Sequence, residues 1–375
     1  MSPMPASPPA PESASTVAAR GGAWAETKVD VATTIDDALR ALPKAELHLH
    51  LEGAVSAETF VDLAERNDVD VPPHTDPTDL YDFDDLGAFL EVYSLVSASI
   101  VRRADFQRVT YECLQRCASA GARHVELFFS PESHLAHGVP YAKMLEGITS
   151  GVRDAEIDLG ITCLLVPAIN RELGGARAVE FVEMVQSVRT DDVVGIGLDF
   201  NEVGFPPDGF VDAFRLAERY GLHRTSHAGE VGPAGNVRDG IELLGCERVD
   251  HGYNIVVDDE LLAECAATRI PFTVCPTTTT YTSSFRDLAD PGHAIRVMFD
   301  RGLTMTVNSD DPPMFGIDLA DEYSTMHHTM GFSFDDLVEL ALNGIDAAWV
   351  DEGTKRTWRD EWGAEVSRLR EAVAA

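Results

Sequence analysis

Apolar and polar positions along the chain follow two different periods. Short β-branched and apolar runs fall at 45–51, 123–129, 161–168, 193–200, 224–227, 248–251, 272–275 and 303–308, and each reads as a strand. Longer stretches lie between or after them, such as 105–120 (DFQRVTYECLQRCASA), 176–188 and 335–350, with the amphipathic pattern of helices. Eight strands alternating with helices predict an α/β fold, a single (β/α)8 barrel of the TIM type. A doubly wound open sheet gives the same alternation. Neither GxGxxG after a strand nor GxxxxGK[ST] is present, which counts against a nucleotide-binding open sheet.

Two stretches stand outside this alternation. Residues 1–34 (opening MSPMPASPPAPESAS) are rich in Pro, Ala and Ser, a composition that cannot bury a core, and are expected to form a disordered tail before a barrel spanning 35–375. The stretch 58–99 is too long for a simple βα loop. With Phe83, Leu86, Phe89, Leu90 and Tyr93 it is expected to form a helical lid inserted after strand 1, over the barrel mouth.

Composition narrows the function. Sixty-three acids against 29 bases give a net charge of −34, a surface that repels phosphate backbones and makes a nucleic-acid partner a poor expectation. No run approaches the roughly 18 apolar residues of a membrane helix, so no membrane role is expected. Six cysteines in 375 residues, with no CxxC, read as buried thiols and not as a disulfide scaffold. With no basic-then-apolar leader visible, the cytoplasm is the expected location.

Chemistry-bearing residues gather at the carboxyl ends of the predicted strands, the face on which such barrels build active sites. Strand 1 ends in His48-Leu49-His50, whose two imidazoles point to one side because they are two apart. Strand 5 runs into His227-Ala228-Gly229-Glu230, strand 6 into Asp250-His251-Gly252, and strand 8 into Asp310-Asp311-Pro312. Each fragment alone has a bland reading: a satisfied histidine pair, a turn, a helix cap. Together, imidazoles from three strands and a carboxylate from a fourth suit a borderline-soft divalent ion, most often zinc.

The segments ELHLHLEGAV (46–55), RTSHAGEVGP (224–233), GCERVDHGYNI (245–255), FTVCP (272–276) and TVNSDDPPMFG (306–316) resemble the adenosine and adenine deaminases of the metal-dependent amidohydrolase superfamily, and the resemblance runs from about Pro43 to Met330. It implies one zinc per chain, held by His48, His50, His227 and Asp310. It implies that Glu230 gives a proton to purine N1, that His251 holds and helps deprotonate the attacking water, that Asp311 bonds N7, and that a backbone N–H near Phe200 meets N3. The reaction implied is hydrolytic deamination of a small 6-aminopurine, base or nucleoside. The chain lacks the P-C-x-x-C of the cytidine-deaminase type of zinc site.

Two departures bear on substrate. Leu51-Glu52-Gly53 replaces the Leu-Asp-Gly of adenosine deaminases, whose Asp reaches ribose; Glu52 would crowd a ribose, which favours adenine with adenosine close behind. After Cys275-Pro276, most relatives carry Ser-Asn, whereas here the run is Thr277, Thr278, Thr279, Thr280. A 5′-modified adenine nucleoside such as aminodeoxyfutalosine is the next alternative, and a metal-binding barrel without catalysis another. Oligomeric state is not legible.

Overall fold

Eight strands wind in chain order into one parallel sheet: β1 (Lys44–His50), β2 (Ala122–Phe129), β3 (Thr162–Asn170), β4 (Gly195–Asp199), β5 (His223–Ala228), β6 (Arg248–His251), β7 (Pro271–Val274) and β8 (Thr304–Val307). The computed structural model describes residues 34–83 and 86–374. The ring closes where Leu49 pairs with Asp310, through His50 N–H to Asp310 O at 3.0 Å and Asp310 N–H to His48 O at 3.2 Å. This is the expected (β/α)8 barrel. β1 is buried at every position and β2 at nearly every one, as expected of parallel strands covered on both faces.

The helices form where the pattern places them, at Arg103–Ser119, Gly175–Ser187 and Phe334–Ala347. Their ends are chemically marked. Ser333 starts the last of these with a reciprocal capping box to Asp336, an arrangement worth about 1 kcal/mol. Residues 1–33 of the expected tail lie outside the described residues; Thr34 caps the helix Ile35–Ala41. Among the described residues no helix is long and apolar enough to cross a membrane, and all six cysteines are buried and unpaired.

The insertion between β1 and β2 is helical, with helices Ala57–Arg66 and Leu86–Ser99 separated by a 3-10 turn at Pro77–Tyr81. A chain of ring contacts crosses from it to the far side of the strand-end face. Phe83 meets Phe89 at 5.5 Å, Phe89 stacks on Phe315 after β8 at 5.4 Å, and Phe315 stacks on Tyr281 after β7 at 4.7 Å. Such pairs each contribute about 0.5–1.5 kcal/mol beyond the area they bury.

Candidate active site

Four donor atoms from three parts of the barrel rim converge. His48 Nε2 lies 3.1 Å from His227 Nε2 and 3.3 Å from Asp310 Oδ1. His50 Nε2 lies 3.3 Å from His227 Nε2 and 3.4 Å from Asp310 Oδ1. All four residues are buried.

The groups on the outer side of each ring decide which nitrogen carries the proton, through a hydrogen bond at His48 and through nearby carboxylates at His227 and His50. Thr273 Oγ1 donates to Asp250 Oδ1 at 2.8 Å, so at 3.0 Å it accepts from His48 Nδ1. The other Asp250 oxygen lies 3.5 Å from His227 Nδ1, and Asp199 Oδ2 lies 3.9 Å from His50 Nδ1. Each imidazole thus faces a proton acceptor on its outer side and turns a bare Nε2 lone pair inward. Bare lone pairs 3.1–3.3 Å apart repel unless a cation lies between them. Ligands about 2.0–2.1 Å from a tetrahedral centre stand about 3.3–3.4 Å from one another. Donor chemistry and spacing therefore both fit zinc.

His251 is the fifth member of the cluster. One atom from each of His48, His227, His251 and Asp310 lies within 4.8 Å of all the others. Tyr253 hydroxyl donates to Cys275 O at 3.2 Å, so it accepts from His251 Nδ1 at 3.1 Å. His251 Nε2 is left as an acceptor, 3.6 Å from Glu230 Oε2. Burial, then the neighbouring His48 and His227, hold this imidazole well below its ordinary pKa, which keeps that lone pair free.

Backbone conformation brings these side chains together. Phe200, His251 and Asp310, at the ends of β4, β6 and β8, have φ of 65°, 66° and 63°, a region costly for residues other than glycine and typical of functional sites. On a regular strand Asp310 and Asp311 would face opposite ways. The left-handed turn at Asp310 breaks the pleat, and both line one cavity. Asp311 packs its carboxyl against the backbone of residue 53, where any Cβ would fall 1.6 Å from Asp311 Oδ1. Gly53 is thus required by close approach.

The cavity beside the cluster is lined by His50, Phe89, Leu90, Tyr93, Phe200 and Glu230, with Asp311 and Phe315 among others. Burial and the nearby charge of Asp310 push the Glu230 carboxyl up to about 7. Burial and the carboxylates of Asp310, Glu52 and Glu230 push Asp311 well above the usual range. Asp311 Oδ1 and Thr278 Oγ1 are buried without a hydrogen-bond partner among the described residues, and both residues face this cavity.

Glu52 is placed differently from the other expected site residues. Its carboxylate is fully buried and accepts from Ser130 N–H at 3.0 Å, His134 Nε2 at 2.8 Å and Tyr93 hydroxyl at 3.2 Å. It stands behind the cavity wall and holds Tyr93, which lines it. The Thr run also has a defined place. Thr277 donates its N–H and hydroxyl to buried Glu322, both at 2.9 Å, while Thr282, one turn on from Thr278, hydrogen-bonds Glu230.

Asp250, Thr273 and Arg171 were not singled out from sequence. Arg171, fully buried, donates to His227 O at 2.8 Å and so backs that ligand strand. The motif D-H-G put Asp250 beside His251, but nothing in one dimension pairs it with His48 and His227.

A closed parallel barrel with a buried His/Asp cluster at its strand ends defines a metal-dependent hydrolase of the amidohydrolase type. Residues 43–364 match the adenosine deaminase family. An adenine deaminase of Vibrio parahaemolyticus is 36% identical over 324 residues, covering 86% of this chain and 95% of that protein. One from Ectopseudomonas mendocina is 38% identical over 314 residues, covering 83% and 98%. Among solved structures, an amidohydrolase from Burkhoderia ambifaria with bound Zn superposes with a TM-score of 0.85 at 37% identity, covering 93% of this chain and 97% of that one. The adenine deaminase of Arthrobacter aurescens gives 0.81 at 33% identity, covering 89% and 100%. The chain belongs to the adenosine deaminase family, and is a hydrolase acting on C–N bonds.

Proposed function

We propose that the protein deaminates free adenine to hypoxanthine and ammonia, with one zinc per chain held by His48, His50, His227 and Asp310. The observation that carries the reading is the ring of inward lone pairs 3.1–3.4 Å apart opening on a cavity that Glu230 and Asp311 also line. Zinc bound there supplies Lewis-acid activation of the attacking water at neutral pH.

The remaining steps belong to the side chains. Attack at C6 builds negative charge on N1, and Glu230, held partly protonated near pH 7 by its buried setting, delivers a proton there. General acid catalysis of this kind contributes typically about 10²- to 10⁴-fold. His251 Nε2 takes the proton of the attacking water. Asp311, kept neutral by burial and its acidic neighbours, donates to N7. A backbone N–H beside Phe200 meets N3. Glu52 acts on substrate choice through Tyr93, whose hydroxyl it accepts. The cytoplasm is the proposed place of work, supported by six buried unpaired thiols.

The relatives named above support adenine over the nucleoside. The test is an absorbance assay offering adenine, adenosine, deoxyadenosine and a 5′-modified adenosine side by side. Adenine is expected to give the highest kcat/KM; a nucleoside with the higher value would overturn the choice of substrate and leave the deaminase chemistry intact.

A further inference from the structure

Glu230 stands on a loop, Gly229–Gly232, that leaves the end of β5, and a loop is a poor platform for a group that must meet one ring atom. Two buried or half-buried side chains hold this loop from opposite sides. Glu202, on the loop after β4 and 4% exposed, accepts four consecutive backbone N–H groups: Gly229 at 2.6 Å, Glu230 at 3.1 Å, Val231 at 3.1 Å and Gly232 at 2.8 Å. Asn236 Nδ2 adds a fifth donor at 2.8 Å. Successive N–H groups turned to one point form an anion-binding nest, and here the anion is the protein's own carboxylate. The fit is close: a Cβ at Gly232 would fall 2.6 Å from Glu202.

Asn254 takes the carbonyl side. Its Nδ2 donates to Gly232 O at 2.8 Å and to Glu230 O at 3.2 Å, and its N–H donates to Gly229 O at 2.7 Å. The acid's main chain is therefore fixed at both its N–H and its C=O, by residues from the loops after β4 and β6. Neither Glu202 nor Asn254 donates or accepts at the Glu230 carboxyl itself among the bonds described. The negative charge of Glu202 also helps to raise the pKa of Glu230; the uncharged Asn254 can act only through where that carboxyl is held, so its variant isolates positioning.

We propose that Glu202, seconded by Asn254, is the positioning residue for the proton donor Glu230, so that the loop after β4, which supplies Phe200 to the cavity, also sets the geometry of acid catalysis. The inference rests on Glu230 being the acid. A positioned acid is needed in the transition state more than in the ground state, so a displaced one lowers kcat and spares KM.

The test is a double-mutant cycle on the zinc-loaded enzyme, run with whichever 6-aminopurine the wild type turns over fastest. The choice of adenine can then fail without touching the result. Glu202→Gln puts an amide NH₂ into a nest of donors. It is expected to lower kcat about 100-fold, with KM, hypoxanthine inhibition and zinc content close to wild type. In a Glu230→Gln background the same change is expected to cost nothing further, since groups acting as one unit are non-additive. Asn254→Ala, which removes only side-chain bonds, is expected to follow the same pattern with a loss of about tenfold. It carries the test if the first variant does not fold. Wild-type kcat in Glu202→Gln or, should that variant not fold, in Asn254→Ala overturns the proposal. So does an undiminished loss in the Glu230→Gln background.

Discussion

The two ends of the barrel bury charge in opposite ways. At the amino-terminal side, Arg248 at the start of β6 meets Glu126 of β2 at 2.6 Å, with both side chains fully buried. The other Glu126 oxygen accepts from Trp349 N–H, and the Trp349 ring lies 4.1 Å from the guanidinium carbon of Arg248. Opposite charges are matched and roofed, with Arg248 Nε and Nη2 left without a hydrogen-bond partner among the described residues. At the carboxyl-terminal side, imidazole lone pairs face one another, Asp311 and Thr278 keep unpartnered oxygens, and three residues sit at positive φ. One end spends its charges on itself; the other leaves them directed at something that is not protein. Unpartnered polar atoms occur at both ends; what separates the structural cluster from the binding site is the acid–base pairing at one end against facing imidazole nitrogens and positive φ at the other.

The widest separation between the ends comes from removing one acidic or basic partner at each. Asp310→Asn is expected to lose zinc, read by metal analysis, and to fall to background turnover while remaining folded. Arg248→Met strands Glu126 in the core, which costs about 3–5 kcal/mol. Its signature is a lower midpoint of chemical unfolding, with near-normal kcat/KM for molecules that stay folded. A folded, active Asp310→Asn protein would remove the metal reading altogether.

Glu230→Gln comes next, with zinc retained and kcat lowered about 10²- to 10⁴-fold. The same residue sets a pH limb. In the proposed reaction the reactive form is the protonated acid, and burial raises its pKa to about 7. Wild-type kcat/KM should therefore fall about tenfold per pH unit above that value, and this limb should vanish in Glu230→Gln. A limb that persists would belong to another group.

Asp250→Asn sharpens the role of the outer shell. It weakens the acceptor facing His48 and His227 and should cost about 10- to 100-fold in zinc affinity or activity. The smallest effect is expected from Glu52→Asp. Shortening that side chain slackens its hold on Tyr93 and should lower the adenine-to-adenosine ratio of kcat/KM by about tenfold. An unchanged ratio would release Glu52 from substrate choice.

Most of the frame was readable in one dimension because strand and motif coincide. The run 248–251 is β6 to the residue. The run 193–200 shortens to Gly195–Asp199: Val193 makes only an isolated bridge to Leu165 at one end, and at the other Phe200 turns left-handed, a conformation that a Phe does not advertise. The sequence shows Asp310 beside Asp311 but not how both face inward; the φ of 63° at Asp310 is the device. Glu52 illustrates the limit of motif reading. Its position beside His50 suggested direct contact with substrate, whereas its three hydrogen bonds come from residues 41 to 82 positions later. The roles of Glu202 and Asn254 are hidden for the same reason, since what they bind is backbone, which leaves no residue-type signal.

The carboxyl of Asp311 fills the volume in which any residue but glycine at position 53 would carry its first side-chain carbon. This cavity-facing acid and the chain segment following His48 and His50 are thereby locked to one another, and neither can drift alone. A lineage adapting this barrel to a new amine would find that corner frozen. Room to experiment lies instead in the largely apolar wall contributed by Phe89, Leu90 and Tyr93, where side chains can be exchanged with none of His48, His50, His227 or Asp310 disturbed.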